Sequence, residues 1–189
     1  MYLNILIGDV LARMRIENAV ASTALRRDLD LQTIALSLDN AEYEPEKFPS
    51  LIYQLEESKA VILLFRSSEA VCTAASVIKD VRVAICKVAK QIETMGIEIE
   101  LDPLIIVQNI VASSDLEQEA HLNVIDISLC LERVEYGPGQ FPRLAYRFDD
   151  PKIVLLIFRS GRLVYTGAKK PHMIIDAANR LQKSLEWLD

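Results

Sequence analysis

Two segments of this chain repeat each other, and the repetition limits the possible folds more than any other feature. Residues 40–49 (NAEYEPEKFP) correspond to residues 133–142 (RVEYGPGQFP). Residues 61–67 (VILLFRS) correspond in the same way to residues 154–160 (VLLIFRS). A unit of about 90 residues that occurs only twice is typical of a duplicated α+β domain and not of a solenoid.

The two halves are predicted to span residues 12–98 and 99–187, with the same order of elements in each. In the first half, an alternating strand precedes a short capped helix, two strands around a Pro turn, two further strands and a long helix. These elements are predicted at residues 16–21, 30–38, 43–53, 60–65, 69–73 and 77–96. Four successive strands joined by short turns predict an antiparallel sheet with helices on one face. The predicted fold class is therefore α+β.

The sheet face opposite the helices carries the most informative side chains. Alternation along two neighbouring strands places Leu63, Phe65, Val71 and Thr73 on this face. The corresponding residues of the second half are Leu156, Phe158, Val164 and Thr166. The sequence offers no third layer to cover them. An open apolar face on a globular protein indicates a binding site.

Composition excludes several classes of protein. The 189 residues are 51% apolar and 25% charged, which is ordinary for a globular chain. No apolar run is long enough for a transmembrane helix, and the first residues make a poor signal peptide, so we expect a cytoplasmic protein. Three cysteines without C-x-x-C spacing and two histidines cannot supply a metal quartet. We expect core thiols at Cys72, Cys86 and Cys130, no cofactor and, without a catalytic constellation, no enzymatic activity.

The motifs, taken in order, resemble the TATA-box-binding protein family in its short archaeal form. The resemblance covers about residues 12–187, and its most specific parts are residues 40–45 (NAEYEP), 154–158 (VLLIF) and 160–169 (SGRLVYTGAK). It implies a pseudo-twofold saddle made of a curved, ten-stranded antiparallel sheet. The concave side of this sheet would bind the minor groove of TATA-box DNA, and four helices on the convex side would receive other transcription proteins.

By position, the resemblance assigns three roles to side chains on the open face. Phenylalanines would be wedges between base steps, a central asparagine and a threonine of each half would donate to bases, and aliphatic side chains would exclude the guanine amino group. The wedges are Phe48, Phe65, Phe141 and Phe158. The polar residues are Asn18, Thr73, Asn109 and Thr166, and the aliphatic ones are Val20, Leu63, Val71, Val111, Leu156 and Val164.

Charge is distributed unequally between the halves. The net charge of −6 argues on average against a nucleic-acid partner. Locally, however, residues 143–170 have a balance of +5, whereas the corresponding residues 50–77 have a balance of −1. In the second half the resemblance assigns DNA contacts to Arg147, Arg162 and Lys169. We therefore expect the first half to contribute fewer phosphate contacts.

The resemblance also implies protein partners. In the family, an acidic Glu-Pro-Glu turn before the wedge of the second half docks transcription factor B, which recruits RNA polymerase. Here that turn is Gly137-Pro138-Gly139-Gln140, whereas the first half keeps Glu44-Pro45-Glu46. The second half therefore lacks the carboxylates for this contact. A homodimer is a further expectation for the protein free of DNA.

The sequence leaves three functions open. The first is a general transcription initiation factor that binds and bends A·T-rich promoter DNA and nucleates the preinitiation complex, at the nucleoid of a prokaryotic cell. The second is a diverged paralogue with weak DNA binding that acts as a protein-interaction module or regulator of transcription. The third is an accessory domain similar to the saddle-shaped domains attached to some nucleases and glycosylases.

Overall fold

The computed structural model describes most of the chain. The described residues are 7–25, 28–57, 59–75, 78–117, 119–122, 125, 134–136, 143–150 and 152–185. The chain divides into two compact units, one formed by Asn18–Gln108 and the other by Met1–Glu17 together with Asn109–Asp189. Within the described ranges, no helix is long and apolar enough to cross a membrane.

The described helices and strands alternate along the chain in an order that repeats. In chain order they are α1 (Ile7–Ala12), β1 (Arg15–Ala24), α2 (Leu31–Ser37), β2 (Ala41–Glu42), β3 (Ser50–Gln54), β4 (Val61–Phe65), β5 (Glu69–Ala75), α3 (Ile78–Thr94), β6 (Ile106–Asp115), β7 (Val134–Tyr136), β8 (Arg143–Phe148), β9 (Ile153–Phe158), β10 (Arg162–Ala168) and α4 (Pro171–Leu185).

The described part of the unit Asn18–Gln108 contains five antiparallel strands in the order β2-β3-β4-β5-β1. Alternate residues of β4 and β5 face opposite sides of this sheet. Ile62, Leu64 and Cys72 are fully buried on one side, and their neighbours on the other side are only half-buried. The helices α2 and α3 cover the buried side, and Ile34 and Ile85 belong to the same apolar cluster as these strand residues. One face of this sheet is therefore a core and the other is open.

Local signals set the ends of the two helices in this unit. The Asp30 carboxylate caps α2 by accepting hydrogen bonds from the backbone N–H groups of Gln32 and Thr33, at 3.2 and 3.3 Å. Beyond α3, Gly96 has a φ of +82°, the left-handed backbone that glycine adopts without a steric penalty after a helix. Both ends agree with the sequence-based prediction to within two residues.

The other unit has the same layering. Its described residues form five antiparallel strands in the order β6-β10-β9-β8-β7. The helix α4 packs on β9 and β10 and also contacts α1. Buried residues of α4, such as Ile174 and Ala178, face the same side as the buried Leu155 and Tyr165 of the strands. Again the helices cover one face of the sheet.

The predicted fold class, α+β with two repeated antiparallel units, is confirmed. The expected strand pair at residues 43–53 was partly wrong, because its first strand, Ala41–Glu42, ends before this range and a turn follows at Pro45. The helix α1 was not predicted. The helix expected between β6 and β7 falls mostly outside the described residues. Of the three expected core thiols, Cys72 is buried, Cys86 is only half-buried and Cys130 lies outside the described residues.

Candidate nucleic-acid interface

The open face of the unit Asn18–Gln108 is built by the strands β1, β4 and β5. Its members are all half-buried, and they alternate with fully buried residues that face the helices. We call this set of six the first open face: Asn18, Val20, Leu63, Phe65, Val71 and Thr73. Leu63 lies directly opposite Val71, and Thr73 lies opposite Val61, so these side chains form one continuous surface.

The second open face lies in the other unit and repeats this arrangement. Its six residues are Asn109, Val111, Leu156, Phe158, Val164 and Thr166, all half-buried. Leu156 lies opposite Val164, and Thr166 lies opposite Val154. The structure thus groups all the predicted central and aliphatic site residues on two matched surfaces.

Each open face holds one asparagine beside one threonine. The Asn18 Nδ2 lies 3.5 Å from the Thr73 Oγ1, and the Asn109 Nδ2 lies 3.2 Å from the Thr166 Oγ1. The Oδ1 atoms accept hydrogen bonds from backbone N–H groups, at 2.9 Å from Ala74 and 2.7 Å from Gly167. One end of each amide is therefore satisfied within the protein, which makes a polar side chain tolerable among aliphatic ones.

The predicted wedges lie in two different local settings. Phe65 ends β4 and Phe158 ends β9, and both rings are half-buried on the open faces. Phe48 lies outside the strands, just after a turn, and is 44% exposed. Phe141 falls outside the described residues.

The predicted cationic residues are exposed on or next to the strands β8 and β10. Arg147 belongs to β8, Arg162 begins β10, and Lys169 follows the end of β10. Arg162 already faces a carboxylate, since its Nη2 lies 3.7 Å from the Glu17 Oε1.

In the unit Asn18–Gln108, the pKa of the Asp30 carboxyl is below its usual value. The main cause is that the Thr33 hydroxyl and backbone N–H donate to it, and the charge of Arg66 is a lesser cause.

The layer behind the open faces is neutral. Cys72 and Tyr165 occupy corresponding positions on β5 and β10 and are completely buried. Burial raises the pKa of the Cys72 thiol to about 11 and raises the pKa of the Tyr165 phenol well above its usual value. Both groups are therefore protonated at neutral pH.

Among the described residues, no group of three or more His, Cys, Asp or Glu side chains could hold a metal ion. What these surfaces offer instead is donors and apolar contact: amide and hydroxyl donors, aliphatic side chains and partly exposed aromatic rings. Donors on an apolar face match the acceptors on the floor of an A·T minor groove.

Comparisons with known proteins identify the family. The sequence profile of the family described as "Transcription factor TFIID (or TATA-binding protein, TBP)" matches residues 13–95 and 104–188. The chain belongs to this family. A TATA-box-binding protein of Thermoplasma acidophilum is 51% identical over 174 residues, which are 92% of this chain and 95% of that protein. TATA-box-binding protein E of Halobacterium salinarum is 46% identical over 175 residues, which are 93% of this chain and 94% of that protein.

A solved structure of another family member has the same fold. Methanococcus jannaschii TBP superposes with a TM-score of 0.83 at 41% identity, covering 92% of this chain and 98% of that one. The two profile matches correspond to the two copies of the TBP repeat. The repeat read from the sequence is therefore the repeat of this family.

The sequence analysis missed part of the open faces of this TBP family member. Val61 and Val154 are half-buried directly opposite Thr73 and Thr166, and Ile52 is half-buried opposite Leu63. The same alternation that identified Leu63 and Leu156 would have identified both valines. They extend the apolar surface beside each asparagine–threonine pair.

Proposed function

We propose that this protein is a general transcription initiation factor that binds and bends TATA-box DNA through the minor groove. Relatives that are 51% and 46% identical and are named TATA-box-binding proteins support this function. At the level of residues, one observation carries it: two matched open faces, each with an asparagine–threonine pair among aliphatic side chains. Residues 12–98 and 99–187 would be the two halves that each contact part of the site.

Base recognition would rest on the two polar pairs. The amide groups of Asn18 and Asn109 and the hydroxyls of Thr73 and Thr166 would donate to adenine N3 and thymine O2. Val20, Val71, Leu63 and their counterparts offer no acceptor to the guanine amino group, and they leave it little room. This arrangement selects A·T over G·C but cannot separate A·T from T·A, because both present the same minor-groove acceptors.

Bending would rest on the four phenylalanines. Insertion of a ring between base pairs disrupts stacking at a cost of a few kcal/mol per step. Phe65 and Phe158, whose rings are half-buried at strand ends, would recover part of this cost by stacking on bases and leaving water. Phe48 and Phe141 are the second wedge of each half.

Affinity would come largely from phosphate contacts of the second half. Arg147 and Lys169 are exposed cations there, and Arg162 can join them by leaving Glu17. The first half has Glu69 where the second has Arg162. Its contribution to phosphate binding is therefore smaller.

The initiation role includes transcription factor B and, through it, RNA polymerase. Residues 137–140, which lack the acidic side chains typical of this docking turn, lie outside the described part of the chain. In the corresponding turn of the first half, Glu44 pairs with Lys47 and Glu46 is exposed. A weak contact through the second half follows from these residues.

This partner proposal can be tested without changing the DNA surface. Gly137→Glu combined with Gly139→Glu should strengthen the ternary complex with transcription factor B and leave binary DNA affinity unchanged, as measured by gel shift. The matched control is Glu44→Gly with Glu46→Gly. If the Gly→Glu pair has no effect and the Glu→Gly pair weakens the ternary complex, transcription factor B docks on the first half and the complex assembles in the opposite direction. If neither pair of substitutions changes the ternary complex, the docking proposal is wrong.

Free of DNA, the apolar open faces would be covered by a second copy of the chain, giving a homodimer. Sedimentation of the protein with and without a TATA duplex tests this state, because DNA should shift a dimer to a 1:1 complex.

As a promoter-binding protein it would work at the nucleoid, in the cytoplasm. No catalytic role is part of the proposal.

The main alternative is a diverged paralogue that binds DNA weakly and regulates transcription through protein contacts. The acidic balance of residues 50–77 favours it. A gel-shift titration with a TATA duplex and with G·C-substituted duplexes separates the two. The proposed function predicts about tenfold weaker binding per substituted base pair, whereas equal and weak binding to both duplexes would favour the paralogue.

A further inference from the structure

A β-bulge lies beside the asparagine–threonine pair of each half. In the strand pair β1–β5, Ala19 lies opposite Ala75 and Ala21 lies opposite Cys72. Two residues of β5, Thr73 and Ala74, therefore oppose the single residue between Ala19 and Ala21. Such a two-against-one arrangement bends the strand and redirects one backbone N–H out of the ladder.

The strand pair β6–β10 has the same irregularity. Ala112 lies opposite Tyr165 and Ile110 lies opposite Ala168, so that Thr166 and Gly167 oppose the single residue between them. The second residue of each bulge has left-handed backbone, with a φ of +62° at Ala74 and +100° at Gly167. The two bulges therefore occupy corresponding positions in the repeat.

The redirected N–H groups point at the two central asparagines. The Ala74 N–H donates to the Asn18 Oδ1 at 2.9 Å, and the Gly167 N–H donates to the Asn109 Oδ1 at 2.7 Å. A backbone N–H can face only an acceptor, so this contact determines which end of the amide carries oxygen. The amide nitrogen must then lie on the threonine side.

The threonine completes a chain of donors. In each half the asparagine Nδ2 donates to the threonine Oγ1, at 3.5 Å for Thr73 and 3.2 Å for Thr166. A weaker contact in the opposite direction joins the Thr166 Oγ1 to the Asn109 Oδ1 at 3.5 Å. When the hydroxyl accepts from the amide, its own hydrogen is free to point outward, as is the second amide hydrogen.

We infer that Ala74 and Gly167 are positioning residues whose backbone N–H groups hold each asparagine with its amide oxygen inward and its amide hydrogens toward the open face. Each pair then presents amide and hydroxyl hydrogens outward. Resting on the proposed function, this inference adds a cause for base selection: the asparagine oxygen is not available to accept a hydrogen bond from a minor-groove amino group. A released amide could turn over and accept one.

The two bulges tolerate substitution differently. A Cβ at Gly167 would lie 2.9 Å from the backbone oxygen of Lys152, closer than real Cβ contacts, and the positive φ adds strain. Ala74 carries a Cβ at a smaller positive φ. Gly167→Ala should therefore displace the bulge N–H from Asn109. The matched control is Gly96→Ala, at a φ of +82° with no atom within 4 Å of the added Cβ.

The experiment compares two duplexes that differ only in a minor-groove amino group. One is a TATA duplex, and the other has 2,6-diaminopurine in place of each adenine of the box. The ratio measured is the affinity for the TATA duplex divided by the affinity for the diaminopurine duplex, both from fluorescence anisotropy. For Gly167→Ala this ratio should fall by about three- to tenfold. For Gly96→Ala the ratio should equal that of the unmodified protein.

A second variant covers the case in which Gly167→Ala does not fold. Replacement of Gly167 by glycolic acid gives an ester that removes the N–H and adds no Cβ. The same replacement at Gly161, whose N–H donates to the Phe158 carbonyl at 2.9 Å, removes a hydrogen bond away from Asn109. Only the ester at Gly167 should shift the Asn109 side-chain amide signals in the ¹⁵N–¹H spectrum and lower the affinity ratio.

The outcomes separate the two proposals. If the unmodified protein binds both duplexes and a G·C control equally, the proposed function fails, while the amide spectrum still tests the positioning role. If the unmodified protein discriminates but the two esters give the same ratio and the same Asn109 signals, the positioning role is wrong.

Discussion

The carboxylate of Glu17 on β1 lies 3.7 Å from the guanidinium of Arg162 on β10. The same carboxylate accepts a hydrogen bond from the Ser113 hydroxyl. At the position of the repeat that corresponds to Glu17, Gln108 donates to the Ser22 hydroxyl at 2.8 Å. The carboxylate of Glu17 therefore faces Arg162, a candidate for DNA binding, whereas the repeat has the neutral amide of Gln108 at the corresponding position. The Glu17 carboxylate therefore competes with a phosphate for Arg162.

Glu17→Gln should raise DNA affinity by up to about fivefold, because an exposed ion pair of this kind contributes about 0.2–1 kcal/mol. The new amide can still hydrogen-bond Ser113, as Gln108 does with Ser22. The measurement is a titration of labelled TATA duplex at several salt concentrations.

The matched control is Gln108→Glu, which adds a carboxylate at the corresponding position and should lower affinity. A double-mutant cycle identifies the cause. Arg162→Ala should reduce affinity more in the Glu17→Gln background than in the unmodified protein. An equal reduction in both backgrounds would show that Glu17 does not restrain Arg162.

Phe158→Ala should reduce DNA bending with little loss of fold stability. The Phe158 ring is half-buried on the open face, whereas Phe148 is 7% exposed and packs edge-on against Tyr146 with ring centroids 4.7 Å apart. We expect Phe158→Ala to lower the free energy of unfolding by about 1 kcal/mol and Phe148→Ala to lower it by about 3–5 kcal/mol.

Energy transfer between dyes at the two ends of a TATA duplex reports the bend. With saturating protein, Phe158→Ala should give a longer end-to-end distance than the unmodified protein. A large loss of stability together with unchanged bending would mean that Phe158 is a core residue and not a wedge.

Strand alternation made much of the site predictable from sequence. The face on which Leu63 or Phe158 lies follows from its place along the strand, and the structure puts both where alternation requires. The two β-bulges could not be predicted in this way, because an extra residue in one strand is recognised only from how that strand pairs with its neighbour. Gly167 was an available signal for left-handed backbone, but Ala74 carries no such signal.

Long-range contacts were beyond sequence reasoning. Glu17 and Arg162 are far apart in the chain, and strand pairing decides whether they meet. The sequence showed a positive second half, but it could not show that Arg162 faces a carboxylate. The same limit applies to the length of β2, since the extent of pairing on each side of the Pro45 turn depends on how the strands meet.

The charge difference between the halves should appear in the salt dependence of DNA binding. Each phosphate contact contributes about −0.9 to the slope of log affinity against log salt. Lys169→Ala or Arg147→Ala should therefore make the slope less steep by about one unit and weaken binding to all sequences alike. Lys59→Ala or Arg66→Ala should change it much less.

Charge restored to the first half should have the opposite effect. Glu69→Lys places a cation at the position that corresponds to Arg162 and should steepen the slope by up to about one unit. The preference for A·T should stay the same, because phosphate contacts do not read bases. Equal effects of substitutions in both halves would contradict the proposed asymmetry.

Alkaline pH should destabilise the fold through the buried Cys72. Its thiol pKa is raised by burial from 9.0 to about 11. Below pH 9 the thiol keeps its proton in both the folded and the unfolded protein, so the stabilisation is complete. Between pH 9 and 11 only the unfolded chain loses the proton, and this difference favours unfolding by up to about 3 kcal/mol.

Urea unfolding at pH 8 and at pH 10.5 measures this loss of stability. Cys72→Ala should lower stability at pH 8 because it leaves a cavity, but it should make the decrease between the two pH values smaller. Ile62→Val is the control, since Ile62 lies directly opposite Cys72 in the sheet and carries no titratable group. It should lower stability by about 1 kcal/mol at both pH values. If Cys72→Ala and the control give the same decrease between pH 8 and 10.5, other groups are responsible for the alkaline sensitivity, and the buried thiol is not its source.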